Sequence, residues 1–414
     1  MTVKTGTLIF CSVLLCSGQE TRTAEIERQR DEKARELKPE DVSKGERFLR
    51  DIKERKYLER VASGYNGLRA KIGNMVTGGG FALGPEYFRE DFLRGQLTTR
   101  ASAQFSTRGY RKYEAEAILP RLAGDHLFLN AIASRRTYRG IQYHGPGPDS
   151  SRSRTNYLLE DTSIDGIAAV KPGRFLKLGG SLGGLWVNVG PGQDSRFASS
   201  EQVFTPAQAP GIDRQTNFFR YGTFGQFDYR DSAAGPKSGG NYVMQFSWFR
   251  DQQLSLYSFR RLDIDLQQYV PFFNRSRILA LRARTTLTDT DAGNLVPFYL
   301  QPFLGGSDDL RGFRPFRFSD RNSMVLNAEY RWEVFSGLDG AIFVDGGKVF
   351  PRRGFLNFRD LEGSAGFGLR FNVQNATFLR IDVGFSHEGF QVWFKFNDVF
   401  NQRRFGTTTG QPVY

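Results

Sequence analysis

The sequence predicts an all-β chain that spans a membrane as a 16-stranded antiparallel β-barrel, preceded by a short helical periplasmic extension. Three observations lead to this prediction. Apolar and polar residues alternate with a period of two over most of the chain, the alternating segments reach ten or more residues, and turns rich in Gly, Pro, Asn and Asp separate them. The composition agrees, since 38 Phe and 46 Gly occur together with a mean hydropathy of −0.45.

The first element, residues 1–18, is expected to be a secretory signal peptide. Lys4 supplies its positive start, the segment LIFCSVLL from Leu8 to Leu15 supplies a short apolar core, and Cys16-Ser17-Gly18 supplies small residues for cleavage. A lipoprotein signal ending at Cys16 is the alternative. Because the only other cysteine, Cys11, also lies in this segment, the exported chain is expected to contain neither disulfides nor thiolate metal sites.

The second element, residues 19–65, is expected to be a charged periplasmic segment with one or two helices. It carries 13 basic and 12 acidic side chains, and pairs such as Asp31 with Arg35 fall at helical spacing. Its apolar residues are sparse, so a solvated linker with partial helix is an equal alternative.

The third element is the barrel, predicted for residues 79–400. In the segment 324–334, Met, Leu, Ala, Tyr, Trp and Val alternate with Val, Asn, Glu, Arg and Glu, which gives one apolar and one charged face. A soluble sandwich also alternates, but with strands of about five or six residues. Membrane-spanning strands need roughly nine to eleven residues, and their sheet must close so that no edge is left unpaired in hydrocarbon.

About sixteen such segments occur, and an even number is expected of a bacterial outer-membrane barrel. The polar inserts at residues 144–155 and 190–215 are predicted extracellular loops, and the link at residues 335–337 is a predicted periplasmic turn. The seam between the first strand, near residues 79–88, and the last, near residues 390–400, could open laterally. Residues 401–414 follow as a C-terminal tail.

The net charge of +13 falls almost entirely on the barrel, because the segment before it is nearly neutral. A basic outer surface suits contact with outer-membrane lipids and anionic lipopolysaccharide, and a basic lumen suits anions. A solvated polar face without any ligand explains the same charge.

One polar decapeptide, LGGSDDLRGF from Leu304 to Phe313, interrupts the apolar pattern. It is expected in a loop between an eleventh strand, VPFYLQPF, and a twelfth, SMVLNAEYRW. In the thirteenth strand Asp345 should face the lumen, because a carboxylate facing lipid is strongly disfavoured. Arg311 on the loop and Asp345 on the wall are therefore a plausible bidentate pair, and Gly312 would let the backbone turn tightly at the contact.

At these residues the sequence resembles the outer-membrane insertase superfamily, which includes BamA, TamA and the two-partner secretion transporters and is also called the bacterial surface antigen family. Its loop-six signature of an aliphatic residue, Arg, Gly and an aromatic matches here, as does its second signature on the thirteenth strand. The resemblance implies that Arg311 is drawn into the lumen and pairs with Asp345, with Glu329 as an additional partner. The matching residues are Gly305, Gly306, Leu310, Arg311, Gly312 and Phe313 in the loop, and Phe343, Asp345 and Gly347 in the strand.

Two features depart from that family. Its insertases carry periplasmic POTRA modules before the barrel, whereas residues 19–65 are too short and too charged for one. Its barrels also usually end at an aromatic residue, whereas NQRRFGTTTGQPVY follows Phe400 here. Either this tail tucks away or the last predicted strand is out of register.

An enzymatic role is not expected. Gly179-Gly180-Ser181-Leu182-Gly183 fits the G-x-S-x-G pattern of hydrolases, but it lies within a predicted strand and not on a strand-to-helix turn. His126, His144 and His387 are dispersed without metal-ligand spacing, and no phosphate-binding loop follows the glycine run at residues 78–80. We therefore expect no metal and no cofactor.

The sequence thus favours a monomeric barrel in the bacterial outer membrane, exported by its N-terminal signal, that assists outer-membrane protein assembly or polypeptide translocation. Its expected partners are membrane lipids, lipopolysaccharide and nascent outer-membrane or secreted polypeptides, with no nucleic acid. A passive pore for small anionic solutes and a structural surface barrel are the alternatives.

Overall fold

A computed structural model of the chain describes residue 28 and residues 65–73, 75–151, 154–273, 276–373, 376–396 and 400. All of these except residue 28 belong to one compact unit. The expected signal peptide (1–18) and tail (401–414) lie outside the described residues, as does the charged segment (19–65) apart from Arg28 and Tyr65.

Sixteen antiparallel strands form one sheet in which every strand pairs with its neighbours in the sequence, so the prediction of a 16-stranded antiparallel barrel is confirmed. The strands are β1 Leu68–Gly73, β2 Ala82–Asp91, β3 Leu97–Ser106, β4 Arg111–Leu122, β5 Leu127–Tyr143, β6 Thr155–Val170, β7 Leu176–Pro191, β8 Phe218–Asp228, β9 Gly239–Asp251, β10 Phe259–Phe272, β11 Arg277–Asp289, β12 Asn322–Phe335, β13 Leu338–Phe350, β14 Glu362–Val373, β15 Ala376–Ser386 and β16 Gly389–Lys395. The longest connections, 192–217 and 290–321, emerge at the same end of the barrel, here called the loop end. The opposite turn end holds the two-residue link Ser336-Gly337.

Within the described residues from 65 onward, helical structure is confined to single turns in the connections. They are Phe92–Gly95, Ser200–Val203 and the 3-10 turns Phe298–Leu300 and Arg353–Phe355. No helix among the described residues has the length and apolar character needed to cross a membrane.

The seam differs from the predicted one. The stretch predicted as the first strand belongs to β2, which pairs with an earlier strand, β1. That strand was missed because it has only six residues, of which Arg69 and Lys71 point to Glu86 on the inner face. Between β1 and β16 the described residues form no backbone ladder, so the barrel is nearly but not fully closed by hydrogen bonds. Side chains meet across this gap; the rings of Phe81 and Phe396 lie 5.6 Å apart.

Alternation assigns the two faces of the wall as expected. In β13, Ile342 and Val344 are exposed on the outer face, whereas Phe343 and Asp345 are buried on the inner one. The inner face carries most of the buried charged side chains, because they find partners there that lipid could not supply.

The lumen is filled differently along its length. Toward the loop end, inward side chains of the wall pack with the connections in an apolar cluster that includes Tyr143, Tyr157, Phe218 and Phe298. Here the prediction needs correction: VPFYLQPF, residues 296–303, is not the eleventh strand but part of the connection 290–321, and its aromatic residues fill the lumen. Ion pairs occupy the next layer, and Phe400 lies nearer the turn end.

Candidate functional site in the barrel lumen

The connection between β11 and β12, residues 290–321, is the sixth at the loop end, and we call it loop six. It folds back into the lumen, and a two-residue ladder between Phe303–Leu304 and Phe318–Ser319 pairs the two halves of the loop with each other. Its apolar side chains pack against inward residues of the wall, so that no part of the decapeptide is solvated. The members of this cluster are Leu304, Leu310, Phe313, Phe318, Val325 and Val349.

Arg311 lies at the centre of the site and is fully buried. Its guanidinium binds Asp345 in a bidentate manner, with Nε 3.0 Å from Oδ2 and Nη2 2.8 Å from Oδ1. The backbone amide of Arg311 also donates to Asp345 Oδ2 at 3.1 Å, and the guanidinium carbon lies 3.4 Å from the centre of the Phe343 ring. The structure therefore brings together the arginine and the aspartate that the sequence singled out.

Glu329 is a second partner of Arg311 and joins it to the rest of the wall. The Arg311 Nη1 donates to Glu329 Oε2. The same carboxylate accepts from Arg331 Nε at 2.8 Å and from Arg370 Nη2 at 2.9 Å. Three guanidinium groups around one carboxylate form charge-assisted hydrogen bonds with both of its oxygens, and the buried charges depend on one another for their partners.

The motif glycines are required by close contacts. Gly305 and Gly306 adopt φ values of +107° and +116°, which side chains rarely tolerate. A Cβ on Gly312 would stand 2.5 Å from the carbonyl oxygen of Phe385, and one on Gly347 would stand 2.8 Å from that of Met324. These four positions let the loop lie directly on the wall.

The ion pairs extend from Arg311 across β12 to β15, and the pair of Arg284 on β11 with Asp309 joins them through Asn327, whose Nδ2 donates to the Asp309 carbonyl oxygen and to Asp345 Oδ1. Asp382 bridges Arg370 and Arg380, and Arg380 returns to Asp308 of loop six at 3.0 Å. The network is balanced, with five cations and five anions, so the basic lumen that the net charge suggested is not basic at this level. Its members are Arg284, Arg311, Arg331, Arg370 and Arg380 with Asp308, Asp309, Glu329, Asp345 and Asp382.

Sequence reasoning missed that loop six contacts both sides of the seam. On one side, Thr77 in the connection after β1 donates from Oγ1 to Asp308 Oδ2 at 3.0 Å. On the other, Trp393 of β16 donates from Nε1 to the carbonyl oxygen of Arg311 at 2.7 Å. The sequence did contain a signal for Trp393, because alternation places this large apolar residue on the polar face of the last strand. No sequence pattern pointed to Thr77.

Phe400 was predicted to end the last strand, but β16 ends at Lys395. The Phe400 side chain is instead buried against Tyr269 and Ile278 on β10 and β11, on inner positions of the wall. Gln267 Nε2 donates to its carbonyl oxygen at 3.0 Å, and the guanidinium of Arg331 lies 5.8 Å from its ring centre. The last strand is thus shorter than the predicted one at residues 390–400, and the tail at 401–414 lies outside the described residues.

The residues weighed for catalysis are not gathered into a site. Ser181 lies inside strand β7, and His126, His144 and His387 lie in three different connections. Among the described residues, no group of His, Cys, Asp and Glu has the arrangement of a metal site.

Comparison with known proteins places this geometry in a family. The model described as the Omp85 superfamily domain matches residues 97–398, more than half of the chain. Two solved structures share the fold at 14% sequence identity: BamA from Haemophilus ducreyi lacking POTRA domains 1–3, with a TM-score of 0.60 over 81% of this chain and 70% of that one, and CdiB from Escherichia coli, with 0.56 over 80% and 62%. No curated protein matches the sequence. The residues described here contain no POTRA module.

Proposed function

Because this chain belongs to the Omp85 superfamily, we propose that it assists the assembly of outer-membrane proteins or the translocation of polypeptides across the outer membrane. In this proposal an N-terminal signal exports the chain, the loop end faces the exterior, and the protein works as a monomer. Its substrates are unfolded or extended polypeptides that meet the barrel at its seam. The turn end then faces the periplasm.

The observation that carries the proposal is the position of loop six across the seam. The loop bonds to Thr77 beyond β1 and to Trp393 on β16, while Arg311 anchors it through Asp345 to β13, three strands from the seam. Strands β1 and β16 themselves are only six and seven residues long, whereas β5 has seventeen. A seam that has no backbone ladder among the described residues and is held by side chains and a removable brace is the part of the barrel that opens at least cost.

The mechanism follows from these contacts. When the loop is seated, it holds the two edges together and fills the lumen. When it withdraws, the carbonyl of Arg311 and the hydroxyl of Thr77 lose their partners, and the unpaired edges of β1 and β16 become available. An incoming extended polypeptide can then pair with an edge by strand addition, which satisfies the exposed backbone groups.

The passive pore is the less favoured alternative. A pore needs a lumen that is open along its length, and it gains selectivity from an excess of one charge. Here the lumen contains a packed apolar cluster and a network of five cations and five anions. A structural surface barrel remains compatible with the fold, but it gives loop six no reason to bridge the seam.

The test is to lock loop six without disturbing its ion pairs. Thr77 Oγ1 and Ser307 Oγ lie 3.2 Å apart, so the double variant Thr77→Cys/Ser307→Cys places two thiols within reach of a disulfide. We expect cells that depend on this variant to show selective loss of some outer-membrane or surface proteins, measured as abundances against cells with the wild type. Addition of a reductant should restore them.

The single variant Ser307→Cys is the matched control and should behave as the wild type. If the abundances of outer-membrane and surface proteins stay normal while the disulfide is formed, movement of loop six has no role in assembly. An inventory that stays normal when the protein is deleted would contradict the assembly role altogether.

A further inference from the structure

Loop seven, which connects β13 to β14 through residues 351–361, presents large apolar side chains to its surroundings. Phe355 is 53% exposed, Leu356 42% and Phe358 74%. The decapeptide 351–360 is exposed throughout and carries three arginines and one aspartate. Exposed aromatic residues next to cations require an explanation, because an isolated loop in water gains nothing from them.

The loop lies on the outside of the barrel wall and not over its mouth. Lys348 of β13 lies an even number of residues from Ile342 and Val344, so its side chain is on the same outward face as theirs. Lys348 also binds loop seven directly. Its Nζ lies 2.7 Å from Asn357 Oδ1 and 3.1 Å from the carbonyl oxygen of Arg359. An outward lysine therefore holds the loop against the outer face at the rim of the loop end.

A second contact shows how far the loop reaches around the wall. Arg353 Nη2 lies 3.7 Å from Asp289 Oδ2, which belongs to the outward-facing set of β11. The same carboxylate lies 3.6 Å from Arg260 of β10. Arg352 and Arg359 have no carboxylate partner in the part of the chain that the structure describes. Loop seven thus leaves two unpaired cations beside its apolar residues.

We propose that loop seven binds a phosphorylated lipid of the outer leaflet, with lipid A as the occupant. Phe355, Leu356 and Phe358 lie among acyl chains, and Arg352 and Arg359 bind the headgroup phosphates. Aromatic and aliphatic side chains interleaved with arginines are the composition of surfaces that lie in a lipid interface. Guanidinium groups bind phosphate oxygens through paired, charge-assisted hydrogen bonds.

The inference rests on the outer-membrane location in the proposed function, since only there does the outer face of the loop end meet lipid A. It does not depend on polypeptide substrates. Lipid binding would fix the barrel in the membrane beside β11 to β14, away from the seam between β1 and β16.

Retention of lipid A by the purified full chain tests whether Arg352 and Arg359 bind the lipid phosphates. The protein is mixed in detergent with diphosphoryl lipid A or with phosphatidylcholine, and bound lipid and oligomeric state are read by native mass spectrometry. We expect Arg352→Gln/Arg359→Gln to lower the affinity for lipid A by roughly tenfold to thirtyfold, because each arginine at an anionic surface contributes about fivefold. The control Arg196→Gln/Arg214→Gln removes two exposed arginines of another loop and should leave retention unchanged.

The position of the Phe358 side chain among acyl chains is tested with the variant Phe358→Trp in vesicles that contain lipid A and brominated acyl chains. The introduced indole should be quenched strongly, and less so when Arg352 and Arg359 are both glutamine. Equal retention by the two double variants, an unquenched indole, or a dimer that covers loop seven would overturn the proposal. A normal outer-membrane inventory in cells lacking the protein would contradict the proposed function but leave these lipid measurements intact.

Discussion

The indole Nε1 of Trp393, in the last strand, donates a hydrogen bond of 2.7 Å to the backbone carbonyl oxygen of Arg311, in loop six. The loop arginine is thus joined to the last strand through its backbone, while its side chain is joined through Asp345 to β13, three strands away. Since Ser386 Oγ also donates to the carbonyl of Gly312 at 2.9 Å, two consecutive carbonyls of the motif are held by β15 and β16. Movement of the loop must therefore disturb the last strands.

Replacing Trp393 by Phe keeps the apolar ring and removes the hydrogen bond. We expect the carbonyl of Arg311 to lose its partner at a cost of about 1–3 kcal/mol, with faster hydrogen exchange in residues 304–313 and in β16. The control is Trp248→Phe, whose indole stacks on Tyr221 outside the lumen. Equal exchange in loop six for both variants would show that this bond does not brace the seam.

Replacing Arg311 by Ala leaves two buried carboxylates, Asp345 and Glu329, without one of their cations. Because breaking a buried pair from one side costs about 3–5 kcal/mol, we expect a large loss of stability. Asp345→Asn in the same chain should recover part of it, since the unpaired charge is then removed. Unfolding in denaturant, read by the loss of heat-modifiable mobility in gels, measures both variants.

The control for this pair is Arg196→Ala, which breaks a solvent-exposed pair with Asp194. Water screens such an exposed pair, so this change should be close to neutral. If Asp345→Asn makes the Arg311→Ala protein less stable instead of more stable, the two side chains do not act as the coupled pair described here.

Replacing Phe400 by Ala removes the aromatic side chain that packs in the lumen between β10 and β11. We expect the segment after β16 to become accessible to protease added from the turn end, since loss of a buried Phe costs about 3–5 kcal/mol. Arg331 contacts both Phe400 and Glu329, so ionic current through the barrel in planar bilayers should also fluctuate more. Phe394→Ala, on the outer face, is the control and should change neither reading.

The fold was predictable because alternation is a local property: Glu329 and Asp345 are on the inner face of their strands whatever the neighbours do. The identity of Arg311 as a lumen residue came from its motif. The sequence did not predict features that depend on packing between segments distant in the chain. VPFYLQPF has the composition of a strand, yet Phe298 is buried in the lumen by contacts with Tyr143 and Tyr157, which sequence spacing does not reveal.

Acidification should loosen the contact between loop six and the connection at residues 144–154. His144 is buried there, and burial together with the nearby charge of Arg317 lowers the pKa of its imidazole to about 4, from about 6.5 in an unfolded chain. Glu388 opposes this shift and Arg154 adds to it. Arg317 itself belongs to loop six and bonds to Ser150 at 2.9 Å, so protonated His144 would repel the residue that holds the two loops together.

Since the pKa of His144 is lower in the folded chain, the unfolded chain binds more protons between pH 6.5 and 4. The stabilisation by neutral His144 is therefore complete above pH 6.5, declines as the pH falls through this window, and is lost by about pH 4, a change of about 3 kcal/mol. Hydrogen exchange of residues 144–151 at pH 7.5 and 5, corrected for intrinsic rates, should show loss of protection at the lower pH. His144→Gln has no charge to gain, so it should remove this dependence; a dependence that persists in the variant would assign the effect to another group.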